Sequence, residues 1–317
     1  MSVWNLGEVL ASTLPGYETE FKDQIFNKAV LLNHYKANGG VVKKSGGKTL
    51  RIPLMTSTGT SEWFGGADHL DVSPVDTLDA AEFTWRNLNA SIVFTMDDEL
   101  ANSGKEQVVD LIEAKIKQAE LTISDALNDG LFNGTGAEAR PRMVGLNTAV
   151  GTGTFAGIAG GTYTDWQSYV VTSGGSLALA DMKTAVNTIN VGAGGSPVSI
   201  IATTQTLIEK YESLLTPTFQ MNPMVMSGEA KRIGDAGFNA LEYRGIPVVF
   251  DPKCPALHMF FLNTENSKIY VHKDAFMTKT PQMSPVDQHV TVQHIVVRTL
   301  LGVNRRKSLG ALTAKTA

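Results

Sequence analysis

The segment running from Ser103 to Asn147 constrains this chain more than any other. A helical pattern of roughly eight turns runs into Gly130-Leu131-Phe132-Asn133-Gly134-Thr135-Gly136 and then a Pro141–Gly145 stretch. Val109, Ile112, Ile116, Ala119, Ile123 and Ala126 recur at intervals of three and four, which places them on one face. Ser103 followed by Glu106 writes a capping-box start. At 1.5 Å per residue the pattern spans about 40 Å, far beyond the usual globular helix of about 11–12 residues. A chain with such a strut is elongated or built around it.

Composition narrows the function classes. With 317 residues and 43% hydrophobic content, one large domain or two smaller ones are possible. A net charge of −4 argues against general nucleic-acid binding by counterion release, though not against enclosing nucleic acid without gripping it. The single cysteine, Cys254, excludes an intramolecular disulfide. Met1-Ser2-Val3-Trp4-Asn5 has neither a basic nor an apolar signal-peptide region, and no apolar run is long enough to cross a membrane, so synthesis in the cytosol is expected.

Along the chain, residues 1–17 read as an arm and Glu18 to Ala37 as a helix stopped by Asn38-Gly39-Gly40. Lys48 to Leu54 alternates as a strand, and its Pro53 predicts an edge or extended ribbon. Gly59 to Asp79 is polar and extended, which suits a segment reaching toward a neighbour better than the interior of a domain. Ala90 to Thr95 is a short strand leading to the long helix. A compact α/β inset follows. Its predicted helices are Leu179–Ile189 and one capped by Thr203 or Thr204 that ends at Leu215. Its predicted strands are Val198–Ala202, Ile246–Phe250, His258–Leu262 and Lys268–Val271. His289 to Val303 is a long terminal strand ending in Asn304-Arg305-Arg306-Lys307.

The residues carry little catalytic chemistry. Gly46-Gly47-Lys48-Thr49 lacks the earlier glycine of a phosphate loop, since Val42 stands there, and a strand follows where a helix is needed. The glycines around 151–157 and 192–195 do not fit dinucleotide spacing. Asp97-Asp98-Glu99 reads as solvated charge before a helix start rather than a metal site. The six histidines are scattered, and nothing beside Cys254 would activate it. No cofactor or metal is expected. The features that suggest contact are Trp63-Phe64 and Trp85, aromatic residues in or just after the extended stretch that meet a partner unless the ribbon folds back over them, and the Met221–Met226 loop, either an adaptable contact surface or core filler.

This order of parts resembles the major capsid proteins of tailed bacteriophages with the HK97-type fold. The resemblance rests on Thr95–Leu100 leading into the long helix, Asp125–Gly136 as its acidic end and glycine turn, and Pro141–Asn147. It continues with Tyr243-Arg244-Gly245-Ile246-Pro247-Val248-Val249 as a returning strand, His258–Val271 as the following hairpin, and Val290–Arg306 as the terminal strand. It implies an α+β fold: an N-arm at 1–38, an extended E-loop with its flanking strands at 39–88, a peripheral domain at 89–150 and 276–317 with a spine helix at about 104–132, and an axial α/β domain at 151–275.

The implied function is self-assembly, as pentamers and hexamers, into an icosahedral head enclosing double-stranded DNA. The subunit would be assembled in the host cytoplasm and end in the virion. Its partners would be other copies and, where present, a separate scaffold, a portal and decoration proteins. No long scaffolding segment is expected before the arm, so assembly would use a separate scaffold or none. Residues expected to contact neighbours are Lys48, Arg51, Trp63, Phe64, Asp68, Met224, Met226, Arg305 and Arg306. Lys43, Lys44 and Lys48 are ribbon lysines of the kind some relatives crosslink, although a solvent or salt-bridge role suits them better. An encapsulin-type compartment with the same fold is the alternative, and a soluble α/β enzyme is the alternative from another class.

Overall fold

The computed structural model describes residues 29–56, 59–66, 68–71, 73, 76–95, 111–192, 197–215, 241–285 and 289–317. In chain order these form α1 (Val30–Ala37), β1 (Val41–Lys44), β2 (Thr49–Met55), β3 (Leu78–Thr84), β4 (Arg86–Thr95), the long helix α2 (Leu111–Asn133) and a single turn, α3 (Leu146–Ala149). Then come β5 (Tyr169–Val171), β6 (Gly175–Ser176), α4 (Leu179–Gly192), β7 (Ile200–Thr203) and α5 (Gln205–Leu215). The remainder are β8 (Leu241–Tyr243), β9 (Ile246–Phe250), β10 (Met259–Leu262), β11 (Ser267–His272), β12 (Thr278–Lys279), β13 (Val290–Val303), β14 (Gly310–Leu312) and β15 (Lys315–Thr316).

The 23 described residues of α2 span about 34 Å. Ser103, Glu106 and Val109 of the expected helix start lie outside the described residues, as does Asp97-Asp98-Glu99. From Ile116 onward the expected face is the packed one: Ala119 and Ile123 are buried and Ile116 is partly so, while Leu127 takes over from Ala126 as the face drifts around the helix. They lie on a sheet face built from Ala90, Ile92 and Phe94 of β4 with Ile295 and Val297 of β13. β4 and β13 pair antiparallel from Arg86↔Thr299 to Thr95↔Val290, and strand alternation turns every second residue toward the helix. The sheet continues as β1-β11-β13-β12, with β4 also on β13.

A second sheet, in the order β5-β14-β10-β7-β9-β8, has helices on one face. Met259 and Phe261 of β10 meet Met182, Val186 and Ile189 of α4 and Leu207 and Tyr211 of α5. Phe260 and Leu262, on the opposite face, enter a core shared with Leu131 and Phe132 of α2 and with Leu31 and Tyr35 of α1. Burial on both faces explains why Met259-Phe260-Phe261-Leu262 is apolar throughout.

The shared core is closed by buried polar contacts that no local pattern announces. Asp251, just after β9, accepts hydrogen bonds from the Leu31 N–H at 3.1 Å, Asn128 Nδ2 at 2.7 Å and the Lys253 N–H at 3.0 Å. It thus caps α1 from 220 residues away. Burial pushes its carboxyl pKa up, against the lowering effect of these donors. Tyr35 Oη and Ser267 Oγ are 2.7 Å apart, which ties α1 to the start of β11.

Where α2 ends, the chain closes on itself. The Gly145 N–H donates to Gly134 O at 2.7 Å, and a Cβ on Gly134 would stand 1.9 Å from Met143 O. Only glycine fits there. This is the physical content of the glycine run that follows the helix.

Two sequence expectations need correction. His258–Val271 is not a hairpin: β10 pairs with β7 and β14, whereas β11 pairs with β1 and β13 in the other sheet. Residues 263–266 are the crossover, an Asx turn in which Asn263 Oδ1 accepts from the Glu265 and Asn266 N–H groups. The sheets also do not follow the expected boundary between residues 275 and 276. β11 belongs to the sheet that carries α2, and β14 lies inside the six-stranded sheet between β5 and β10. β1 pairs parallel with β11 in the sheet that carries α2.

Candidate assembly surfaces

β2 and β3 form a two-stranded sheet of their own, in register from Thr49↔Thr84 to Met55↔Leu78. The face bearing Leu50, Ile52, Ala81 and Phe83 leans on the shared core near its root, where Phe83 packs edge-on to Phe155 at 5.7 Å and the Glu82 N–H donates to Ala156 O. The outer face carries an Arg51–Glu82 cross-strand ion pair at 3.0 Å, exposed and of small energetic consequence.

Beyond the root the ribbon loses its support. Met55 and Leu78 oppose each other on the outer face at 85% and 71% exposure. The segment past them carries Trp63 at 103% and Phe64 at 67%, with Leu70 also exposed. Local contacts shape it: Asp68 Oδ2 accepts the Gly65 N–H at 2.6 Å, Glu62 Oε1 accepts the Asp71 N–H at 2.7 Å and Asp71 Oδ1 accepts the Ser73 N–H at 2.9 Å. An isolated two-stranded hairpin is marginal in water. Covering Trp63, Phe64, Met55 and Leu78 would be worth about 6–12 kcal/mol gross, at about 1.5–3 kcal/mol for each large apolar side chain. That rivals the net stability of a whole domain, about 5–15 kcal/mol. The subunit itself leaves these four side chains uncovered.

The nine expected contact residues separate in this geometry. Trp63, Phe64 and Asp68 share the hairpin tip. Arg51 sits on the ribbon in its ion pair, and Lys48 is exposed at the root. Met224 and Met226 lie outside the described residues. Arg305 is exposed, whereas Arg306 is 1% exposed and serves the subunit's own interior. Its Nε donates to Ala149 O at 2.7 Å, and its Nη1 donates to Gly153 O at 2.6 Å and Trp166 O at 3.1 Å, with the guanidinium 5.0 Å from the Phe155 ring. Burial lowers its pKa to about 10. Trp85 also departs from expectation: it is buried, edge-on to His272 at 5.9 Å and beneath the Arg298 guanidinium at 5.7 Å. Met55 and Leu78 were missed because each is a single apolar residue in a strand, and only the register shows them opposed and outward.

Lys43 stands 6.0 Å from the Phe276 ring, and Lys44 and Lys48 are exposed. Cys254 is buried, and burial drives its thiol pKa far up, so it is not a reactive thiolate. Among the described residues there is no group of three or more His, Cys, Asp or Glu placed to hold a metal ion. No described helix is long and apolar enough to cross a membrane.

The fold defined by these two sheets, the long helix and the free hairpin is the HK97-type capsid fold. The chain is similar to a protein of the cyanophage A-1(L) capsid asymmetric unit, with TM-score 0.74 at 18% identity over 98% of both chains. It is similar to a chain of the capsid of a native GTA particle, with TM-score 0.70 at 11% identity over 100% of both chains. It also resembles a chain of the holo-SrpI encapsulin complex from Synechococcus elongatus, with TM-score 0.67 at 10% identity, covering 100% of this chain and 97% of that one. No protein-family model and no curated protein matches the sequence.

Proposed function

We propose that this chain is the shell-forming major capsid protein of a phage-like particle, assembling through pentamers and hexamers into an icosahedral head around double-stranded DNA. The observation that carries the reading is the free hairpin with its uncovered Trp63, Phe64, Met55 and Leu78, in a fold shared along its full length with capsid proteins. A heterologous contact between one copy's ribbon and the next closes into rings when the rotation permits. The sheet carrying α2, with the hairpin, would form the peripheral body. The six-stranded sheet would form the axial body around the symmetry axes. Residues 1–38 would be the arm. A net charge of −4 suits a wall that encloses DNA without adhering to it. The subunit has a structural rather than an enzymatic role, assembles in the host cytoplasm and ends in the virion, with a separate scaffold, portal and decoration proteins as further partners.

The likeness to the SrpI encapsulin supports a second reading, a protein compartment holding a cargo enzyme. Particles formed by the full-length chain, examined by electron microscopy and nuclease digestion, test both. Closed shells with nuclease-protected DNA in the native host support the head. Shells holding protein cargo support the compartment. A subunit that stays monomeric under every condition refutes both.

A further inference from the structure

Arg298 of β13 is half-buried, yet its guanidinium makes no hydrogen bond or ion pair with any described residue. Its close companion is the ring of Trp85, 5.7 Å away. Arg298 Nε and Trp85 Nε1 are both buried without an acceptor, and Trp85 as a whole is 6% exposed. Two N–H donors withdrawn from water and left unpaired are costly. They mark a place where the chain supplies donors and no acceptor.

The register brings further cations to the same face. β1 pairs Lys44 with His272 of β11, and β11 pairs Val271 with Thr299 of β13, so His272 falls opposite Arg298. Cross-strand neighbours point to one side about 5 Å apart, which sets Lys44, His272 and Arg298 in a row about 10 Å long. Trp85 touches this row twice, edge-on to His272 at 5.9 Å and against Arg298. The Gly46 N–H donates to His272 Nε2 at 3.2 Å, and the Asp274 N–H lies 3.3 Å from Nδ1. His272 therefore fastens the 44–48 turn beside the row. The Lys273 N–H donates to Lys44 O at 2.8 Å, and both lysines are exposed without a carboxylate partner among the described residues. The acid beside His272 is Asp274, 4.0 Å from Nδ1 with its side chain 75% exposed.

We propose that this row is an oxyanion site that takes a phosphate group. Arg298 binds two phosphate oxygens end-on through its terminal nitrogens, because Nε is the nitrogen cut off from solvent. Lys44 adds a charge-assisted hydrogen bond from the flank, and Lys273 adds its charge nearby. Trp85 is the apolar support that holds the guanidinium in place. Three cations against one exposed carboxylate favour a doubly charged anion over a singly charged one. Phosphate also offers several oxygens to donors that approach from different strands. The group comes either from free phosphate or from a nucleic-acid backbone. The site belongs to the single subunit and stands whether or not that subunit forms a shell.

The test is calorimetric titration and thermal unfolding of the unassembled full-length subunit in sodium phosphate, against sodium chloride at equal ionic strength. Phosphate should raise Tm saturably, by about 2 °C at ten times Kd for 317 residues. It should also shift the Trp85 indole N–H resonance, which is assigned by its loss in Trp85→Phe. Lys44→Gln should weaken phosphate binding about tenfold. Lys43→Gln is the control: strand alternation sends Lys43 to the other face, toward Phe276, and binding should stay within about twofold of wild type. Arg298→Met should abolish binding and Asp274→Asn should tighten it, with circular dichroism showing each subunit folded. A short DNA duplex added to the phosphate-bound subunit separates the two sources. Displacement of phosphate assigns the site to backbone phosphates, and retention assigns it to the free anion. A Tm rise that chloride reproduces, or a Lys44→Gln subunit that binds phosphate as wild type does, overturns the site.

Discussion

Replacing Arg306 with Met removes the charge and the donors while keeping most of the side chain's volume. Three carbonyls lose a partner. Gly153 is exposed, so water can replace the guanidinium there, but Ala149 and Trp166 are buried at 0% and 4% exposure. Each buried carbonyl left without a donor costs about 1–3 kcal/mol, giving about 2–6 kcal/mol for the pair. The opposing gain is that a guanidinium no longer has to be desolvated, a penalty visible in its pKa of about 10. The net expectation is a loss of about 3 kcal/mol. With an unfolding entropy of about 2.1 cal/mol/K per residue, that lowers Tm by about 4–5 °C for 317 residues.

The assay is thermal or urea unfolding of the unassembled subunit. Arg306→Lys should lie between wild type and Met, since one ammonium cannot satisfy three carbonyls on separate segments. Arg305→Ala should change stability by less than about 0.5 kcal/mol. A stable Arg306→Met subunit that fails to assemble would mean that Arg306 acts at an interface after all, and the reasoning would be wrong.

Gly134→Ala should destabilise the subunit by at least about 3 kcal/mol, because its Cβ meets the Met143 carbonyl at 1.9 Å, whereas Gly153→Ala, with open space around it, should be nearly neutral; chemical denaturation of both checks this. His34 is buried with its pKa lowered to about 4, so the unfolded chain binds the proton first. Stability is then whole above about pH 6.5 and falls by up to about 3 kcal/mol as pH drops toward 4. A His34→Phe subunit should lack that part of the acid limb, and identical pH profiles would contradict it. Trp63→Ser with Phe64→Ser should leave subunit Tm within about 1 °C yet abolish or strongly impair assembly, read by sedimentation. A large Tm shift would mean that these rings are covered within the subunit.

Local patterns foretold the elements whose formation depends on nearby residues. α2 was readable from Ile116 through Ile123 because a 3.6-residue period is a local signal. β9 and β13 were readable because branched apolar runs bounded by turns have few other uses. Trp63 and Phe64 stood out as aromatic residues in a polar stretch. Trp85 looked the same by that criterion and was misread, since what distinguishes it is the packing of His272 and Arg298, residues far along the chain. Arg305 and Arg306 are adjacent and identical in type, and a strand end followed by a short turn sends one outward and the other inward.

The sequence alone therefore determined the long strut, the detached ribbon and the absence of any recognised catalytic motif, because periodicity, proline and composition act within a few residues. Tertiary structure alone decided which sheet receives each late strand, that Asp251 caps a helix 220 residues upstream, and that Arg306 is interior. It also decided that the ribbon's apolar residues Met55 and Leu78 face outward together. These depend on hydrogen-bond partners and burial supplied across long sequence separations, and no local pattern carries that information.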